Sequence, residues 1–594
     1  MVSRALGSET AKLPFTWSDK PDVPERHAAW AQHPGKLKAD GSPVTVFVFN
    51  KTKAPARVAF ARNALRRART LRHPDLVKLV EGIETETQIV IATEAVTPLA
   101  RLDWHQLDPL LKCWGLYKMA HLLNFFHADC RLAHLNFSLE TVQVTAAGEW
   151  KLTGLDLADA ELPNPFSVGM IDGVTEHRYP PEMANANWSA FAAHPLHAVD
   201  AWAFGCLVYE LYIKQAPLQT RQEVLAATQG TRPASVHVSL YTAFRHLVRP
   251  EPKMRGTLDK FLKQTGGPNG FFDNHFVKTS LFLEHITLKS VAEKEAFASQ
   301  LAEHVNEFPL AFTKYKILPE LCQAVEYGGV GARGIPSVLR IGQRLDEDDV
   351  QKMLVPLIVR LFASTDRSIR VSLLSQLDEY HRYLDANTIS DAIYPSLCTG
   401  FSDSNAIVRE HTLRSILVIA DKLNEKILNN TLLRFLAKLQ TDPEPGIRTN
   451  TTILLGKLAT KLRPQIAQSV LVPAFTRAFK DSFPPARIAG MAAIGVTHEL
   501  YPLADICNRI LPHVMPLLMD PEKPVRQQAF KILDIFVKRV ADGAAEGPAG
   551  AAAASTASGA AGAVASAAGT ALASTTANWA GWALSAMSNT IIKS

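Results

Sequence analysis

Residues 510–536 read ILPHVMPLLMDPEKPVRQQAFKILDIF. Ile510, Leu511, Val514, Leu517 and Leu518 fall at helical spacing and make one apolar face. Asp520-Pro521 then breaks the helix, and Val525, Ala529, Ile532, Leu533 and Phe536 make a second face. One such helix pair cannot bury both faces, so copies of it must stack on one another.

The copies are there. Arg370, Arg409, Arg448, Arg487 and Arg526 recur every 39 residues. Pro356, Pro395, Pro473 and Pro512 keep the same register, with Arg434 in place of the proline in the third unit. Asp403, Asp442, Asp481 and Asp520 each stand six positions before an arginine, whereas Asp366 stands four before Arg370. A degenerate unit starts at Pro319 and places Arg333 at the same fourteen-residue offset. A helical period near 40 predicts a helix-pair solenoid. The recurring Asp and Arg read as structural bonds from turn to turn, and the pattern resembles HEAT repeats, five clear units with one or two degenerate ones.

The 594 residues are 47% hydrophobic and 20% charged, which excludes wholesale disorder, and the net charge of +6 neither requires nor excludes a polyanion. The six cysteines form no C-x-x-C pair, so zinc ribbons and dithiol redox motifs are excluded. No signal-peptide core and no run of about 18 apolar residues occurs, so a soluble intracellular protein is expected.

Upstream of the repeats the periods are mixed. Val44–Phe49 alternates as a strand, an arginine-rich helix spans about Ala56 to Arg72, and His73-Pro74-Asp75-Leu76-Val77 leads to a strand from Gln88 to Thr93. A helix ending near His127 precedes LAHLNFSLETVQV (132–144) and EWKLTGLDLAD (149–159). Tyr179-Pro180-Pro181-Glu182 and Asp200-Ala201-Trp202-Ala203-Phe204-Gly205 follow. This order resembles the protein kinase fold over roughly 220 residues. Carried over role by role, the resemblance puts the strand lysine on Phe49 and its glutamate partner on Ala64. The catalytic base falls on Asn136, and the two metal ligands fall on Thr141 and Gly154. No G-x-G-x-x-G precedes the first strand. Phosphoryl transfer needs those charges, so a pseudokinase with no cofactor and no metal is expected. A kinase with displaced groups would have to use Lys51 and Asp156. Asp200 matches the buried kinase aspartate, and Glu182 with Arg255 the ion pair of the large lobe.

A kinase-like part followed by such repeats resembles the SCY-like family of N-terminal kinase-like proteins. Gly270–Val277 (GFFDNHFV), Thr279–Glu284 (TSLFLE), Thr93–Leu99 (TEAVTPL) and Trp579-Ala580-Gly581-Trp582-Ala583 carry the likeness. The resemblance implies a catalytically weak or inactive scaffold. Animal members bind coatomer in Golgi-to-ER retrograde transport, and fungal and plant relatives are linked to nuclear export and cytoplasmic delivery of tRNA. Animal members also add a coiled coil and a basic coatomer-binding tail; the residues leading to Ser594 have one lysine and no heptads. A cytoplasmic location at the Golgi or ER–Golgi boundary is implied, with the nuclear envelope as the alternative.

The expected fold is thus an α+β bilobal kinase-like domain (1–265), a connecting helical segment (266–305), an all-α HEAT-repeat solenoid (306–542), a low-complexity Ala/Gly/Ser/Thr-rich linker (543–577) and a short Trp-containing helix (578–594). Arg62, Arg66 and Arg69 share a helix face that is either a polyanion stripe or simply solvated. Trp579 and Trp582 are candidate anchors for a partner groove or a membrane interface, or they fold back on the chain's own solenoid. His121, His127, Asp129, Cys130 and His134 include metal-ligand types, but their places in the kinase pattern make them structural.

Overall fold

The computed structural model describes residues 13–22, 30–103, 105–158, 178–183, 194–195, 197–327 and 329–545. The tryptophan segment and residues 546–577 of the expected linker therefore lie outside the described residues, whereas residues 543–545, also expected as linker, continue the last helix, Lys523–Ala545. The chain divides into two compact units, residues 1–323 and 324–594.

The first unit opens with β1 (Phe15–Trp17), β2 (Trp30–Leu37) and β3 (Pro43–Asn50). Helix α1 (Val58–Thr70) follows, then β4 (Leu79–Glu84) and β5 (Gln88–Glu94). These strands form one antiparallel sheet in the order β1-β2-β3-β5-β4. Alternation sets its two faces. Val44, Val46 and Val48 pack with Val90, Ala92 and Phe15 on one side. Phe49, Ile89 and Ile91 pack on the other, under Ala61, Ala64 and Leu65 of α1. β1 and β2 escape sequence reading because WAQHPGKL carries Pro34 and Gly35 and has little β-branched content.

Below the sheet, α2 (Pro109–Ala128) is capped by Asp108, which accepts from the Leu110 N–H at 2.8 Å. A second small sheet joins Thr97–Pro98, Val142–Val144 and Trp150–Leu152. Trp150 lies on α2 at Gly115, where a Cβ would sit 2.1 Å from the indole. Gly115→Ala is therefore expected to cost about 1–3 kcal/mol through overpacking, despite the helix propensity of alanine. Chemical denaturation of the full chain checks it. Helices α3 (Ala198–Val208), α4 (Leu258–Gly266) and α5 (His275–Glu284) complete this lobe. Phe276 of α5 packs edge-on against Phe308 and Phe312.

The second unit is all helical and repeats as expected. Its main rungs are α6 (Ala406–Ile419), α7 (Pro445–Leu458), α8 (Pro484–Val496) and α9 (Lys523–Ala545). The Asp/Arg recurrence becomes a ladder. Arg409 bonds Asp442 at 2.7 and 2.8 Å, Arg448 bonds Asp481 at 2.7 and 2.8 Å, and Arg487 bonds Asp520 at 2.8 Å. Each arginine also donates backwards, to the carbonyl of the aspartate six residues before it. Each of these aspartates in turn accepts the N–H two residues on, which closes the turn before the next helix. The first rung departs: Arg367 takes Asp403 at 3.0 Å, while Arg370 stands 3.8 Å from it and bonds Thr399. Asp366, the offset aspartate, caps its own helix at Ser368. No helix among the described residues is long and apolar enough to cross a membrane.

Candidate functional site

A cleft of about 1140 Å³ lies in the first unit and is lined by Trp30, Phe47, Thr93, Asn136, Thr141 and Asp156, among others. β3 places Phe49 where the resemblance puts a lysine. Its side chain is 1% exposed and belongs to the same apolar cluster as Ala64 of α1. Trp30, its partner across the β2–β3 ladder, packs on it with ring centroids 5.5 Å apart. Where the resemblance puts an ion pair, the chain has an apolar cluster. The bond that holds α1 to the cleft comes instead from its neighbour. Asn63 Nδ2 donates to the carbonyls of Leu155 at 3.3 Å and Asp156 at 2.9 Å.

The other positions are equally occupied. Thr141 Oγ1 donates within its own loop, 2.8 Å from the Asn136 carbonyl, and accepts the Ser138 N–H. Gly154 has φ +76°, and a Cβ there would meet Thr141 Cγ2 at 2.5 Å. Lys51 points away from the cleft, to Glu84 at 2.5 Å and the Thr85 carbonyl at 2.7 Å. Asp156 does face the cleft, but Trp30 Nε1 donates to it at 2.8 Å. Burial pushes its carboxyl up to about 6, and the indole N–H only partly offsets this. The connection after β5 is also self-satisfied. Thr45 Oγ1 accepts the Val96 N–H at 2.9 Å, and the Val96 carbonyl accepts from Gln32 Nε2 at 3.0 Å. A ligand reading that backbone would have to displace both side chains. With Phe49, Ala64 and Gly154 at the places that the resemblance gives to the lysine, the glutamate and a metal-binding carboxylate, these residues do not fit a magnesium nucleotide. Among the described residues, no cluster of three or more His, Cys, Asp or Glu could hold a metal.

Restoring one charge is not expected to restore chemistry. Gly154→Asp puts a side chain into left-handed backbone and into Thr141, at a cost of about 2 kcal/mol. Magnesium-dependent nucleotide binding, read by calorimetry, is expected to be undetectable in the unaltered chain, in Gly154→Asp and in Phe49→Lys/Ala64→Glu.

What the chain keeps is framework. Asp200 is fully buried on α3 and accepts the N–H groups of His134 at 2.7 Å and Leu135 at 2.8 Å, with His127 Nε2 at 2.9 Å. Burial alone would raise its carboxyl, but His127 and these bonds outweigh burial and hold it below the ordinary range. Leu135 is thereby held at φ +61°, next to the buried ring of His134. Arg255 binds Glu182 in a fork, at 2.7 and 3.0 Å, and its remaining donors reach the carbonyls of Ala198, Arg249 and Pro250.

The arginine stripe on α1 is brought onto β4. Arg62 bonds Glu84 at 2.8 Å while keeping 59% of its side chain exposed, Arg69 bonds the Gly82 carbonyl, and Arg66 bonds Asn63 at 2.9 Å. Trp579 and Trp582 lie outside the described residues. The bonds of Trp30, Asn63, Gln32 and Thr45 around the cleft were not foreseen, because their partners are 51 to 126 positions away and no local motif marks them.

No protein-family model matches the chain. A Dictyostelium discoideum protein named "Probable inactive serine/threonine-protein kinase scy1" is 34% identical over 515 residues, 86% of this chain and 61% of that protein. The chain's homologues are SCY1-like, kinase-like proteins. Saccharomyces cerevisiae "Cytoplasmic export protein 1" is 25% identical over 553 residues, covering 86% of this chain and 67% of its own. The crystal structure of Cex1p aligns with a TM-score of 0.56 at 23% identity, over 91% of this chain and 98% of that one, which shows a shared fold. The chain thus spans about three-fifths of the length of this slime-mould relative.

Proposed function

We propose that this chain is a kinase-like scaffold without phosphoryl-transfer activity. It acts in coatomer-dependent traffic from Golgi to endoplasmic reticulum, through protein contacts of its solenoid. The observation that carries the non-catalytic reading is the buried Phe49–Ala64 cluster, which stands where transfer needs a lysine and a glutamate. The intact Asp200 and Arg255 frameworks support a fold kept for its surfaces. The solenoid supports partner binding, because stacked helix pairs present long continuous faces. Its location on this reading is cytoplasmic, at the Golgi or ER–Golgi membranes, by peripheral contact. The working domain limits are 1–265, 266–305, 306–542, 543–577 and 578–594.

A second reading is tRNA export and delivery. It is favoured by the relative named an export protein and by Arg62, which keeps most of its side chain in water. Such binding would be steeply salt-dependent. A tagged pull-down from cytosolic lysate at two salt concentrations separates the two, with proteomics and RNA quantification on one eluate. Coat subunits held at moderate salt without tRNA are the expected result. Enriched tRNA that is lost as salt rises, with no coat subunits, would reverse the ranking.

A further inference from the structure

The repeat register exposes a face that every earlier unit buries. Met491 and Ile494 on α8 are 0% exposed, and one period earlier Thr452 and Leu455 on α7 are each 2% exposed. Leu413 and Ile416 on α6, another period back, are 2% and 0% exposed. They are buried because the next unit lies on them. Ile532 of α9, for instance, sits against Gly495 of α8, where a Cβ would be 2.4 Å from its side chain. One period on from Met491 and Ile494, the same positions are Phe530 and Leu533 of α9. Phe530 is 53% exposed, Leu533 is half-buried, and Val537 on the same stripe is 49% exposed. A terminal repeat needs a polar outer face to remain soluble. This one instead carries aromatic and aliphatic side chains at i, i+3 and i+7, the pattern of a helix that packs.

We propose that the chain's own segment 579–586 covers this stripe and caps the solenoid. Trp579, Trp582, Ala583 and Ala586 repeat at i, i+3, i+4 and i+7, which offers a matching apolar face. The 33 residues from 546 to 578, almost all Ala, Gly, Ser and Thr, join it to the end of α9. A coil of that length and composition spans about 30 Å. The stripe lies within about 22 Å of Ala545, back along the helix axis. Reach and span therefore match, and the segment meets the stripe at an effective concentration of about a millimolar. Even a contact with a dissociation constant of about 0.1 mM would then be closed about ten times more often than open.

Hydrogen exchange on the full chain tests this. The amides of residues 523–545 should exchange about tenfold more slowly in the unaltered chain than in Trp579→Ala/Trp582→Ala. Phe530→Glu, at a half-exposed position that does not threaten the fold, should give the same loss, with exchange in residues 445–458 unchanged as a control. A peptide of residues 577–594 added at millimolar concentration to the tryptophan variant should restore the protection. Equal exchange in all three chains would overturn the proposal. So would protection that survives loss of both tryptophans, or protection that grows with protein concentration while sedimentation shows a dimer, which would make a second copy the occupant.

Discussion

Arg255→Ala is expected to destabilise the first unit by about 3–5 kcal/mol, the cost of leaving a buried charge without its partner. The arginine side chain is 0% exposed and that of Glu182 9%. Removing the guanidinium strands the Glu182 carboxylate and three carbonyls at once. It also empties the place beneath Trp202, whose ring lies 5.4 Å from the guanidinium carbon. Arg255→Lys is expected to recover little, because an ammonium has three donors and no planar fork to match the five bonds made here. Denaturant unfolding of the full chain, with hydrogen exchange to localise the loss to residues 198–266, is the measurement. A change under about 1 kcal/mol would mean that the pair is only a surface-like contact.

The second large effect lies in the ladder. Asp481→Ala is expected to cost the second unit about 2–4 kcal/mol, somewhat less than a fully buried pair because the arginine and aspartate side chains are 17% and 11% exposed. The carboxylate receives two bonds from Arg448 and the N–H of Phe483, so its loss unties one repeat from the next and frees the turn before α8 together. Arg448→Met/Asp481→Leu should be less damaging than Asp481→Ala alone, since no unpaired charge remains. Acid should act in the same direction. Burial tends to raise the carboxyl of Asp481, but the bonds from Arg448 and Phe483 outweigh it; Asp520 is likewise held down by Arg487 and the Glu522 N–H. With the folded values below the ordinary 3.8, the stabilisation is complete above that pH and is lost as pH falls through the folded values. Unfolding of the second unit followed from pH 6 to pH 3 should show the loss only below about pH 4. A flat profile would remove the ladder from the stability of the solenoid.

The ladder was legible because it is written as spacing: Asp and Arg at fixed offsets in successive units are positions that stacking brings together. The roles assigned to Phe49, Ala64, Asn136, Thr141 and Gly154 rest on resemblance instead, since each sits in a short segment whose order marks its place. What fills the emptied cleft was not legible. Trp30 reaches Asp156 across 126 residues, and Thr45 and Gln32 reach Val96 only because strand register turns them toward it. A sequence carries no period or motif for such meetings. The exposed stripe on α9 was hidden differently: Phe530 and Leu533 look like ordinary core positions, and only the end of the stack makes them surface.

The ladder also has a mechanical side. Its rungs join each unit to the next by short charged bonds, and further polar ties between units accompany them, from Lys422 to the His381 and Leu384 carbonyls and from Gln440 to the Ala474 carbonyl. Directional bonds resist lengthening by a fraction of an ångström; apolar surfaces slide and tilt at little cost. Together these bonds fix the spacing of successive units more tightly than apolar contact alone would. A load on the second unit should therefore shift the packing of its apolar faces before it lengthens the bonds between Arg448 and Asp481.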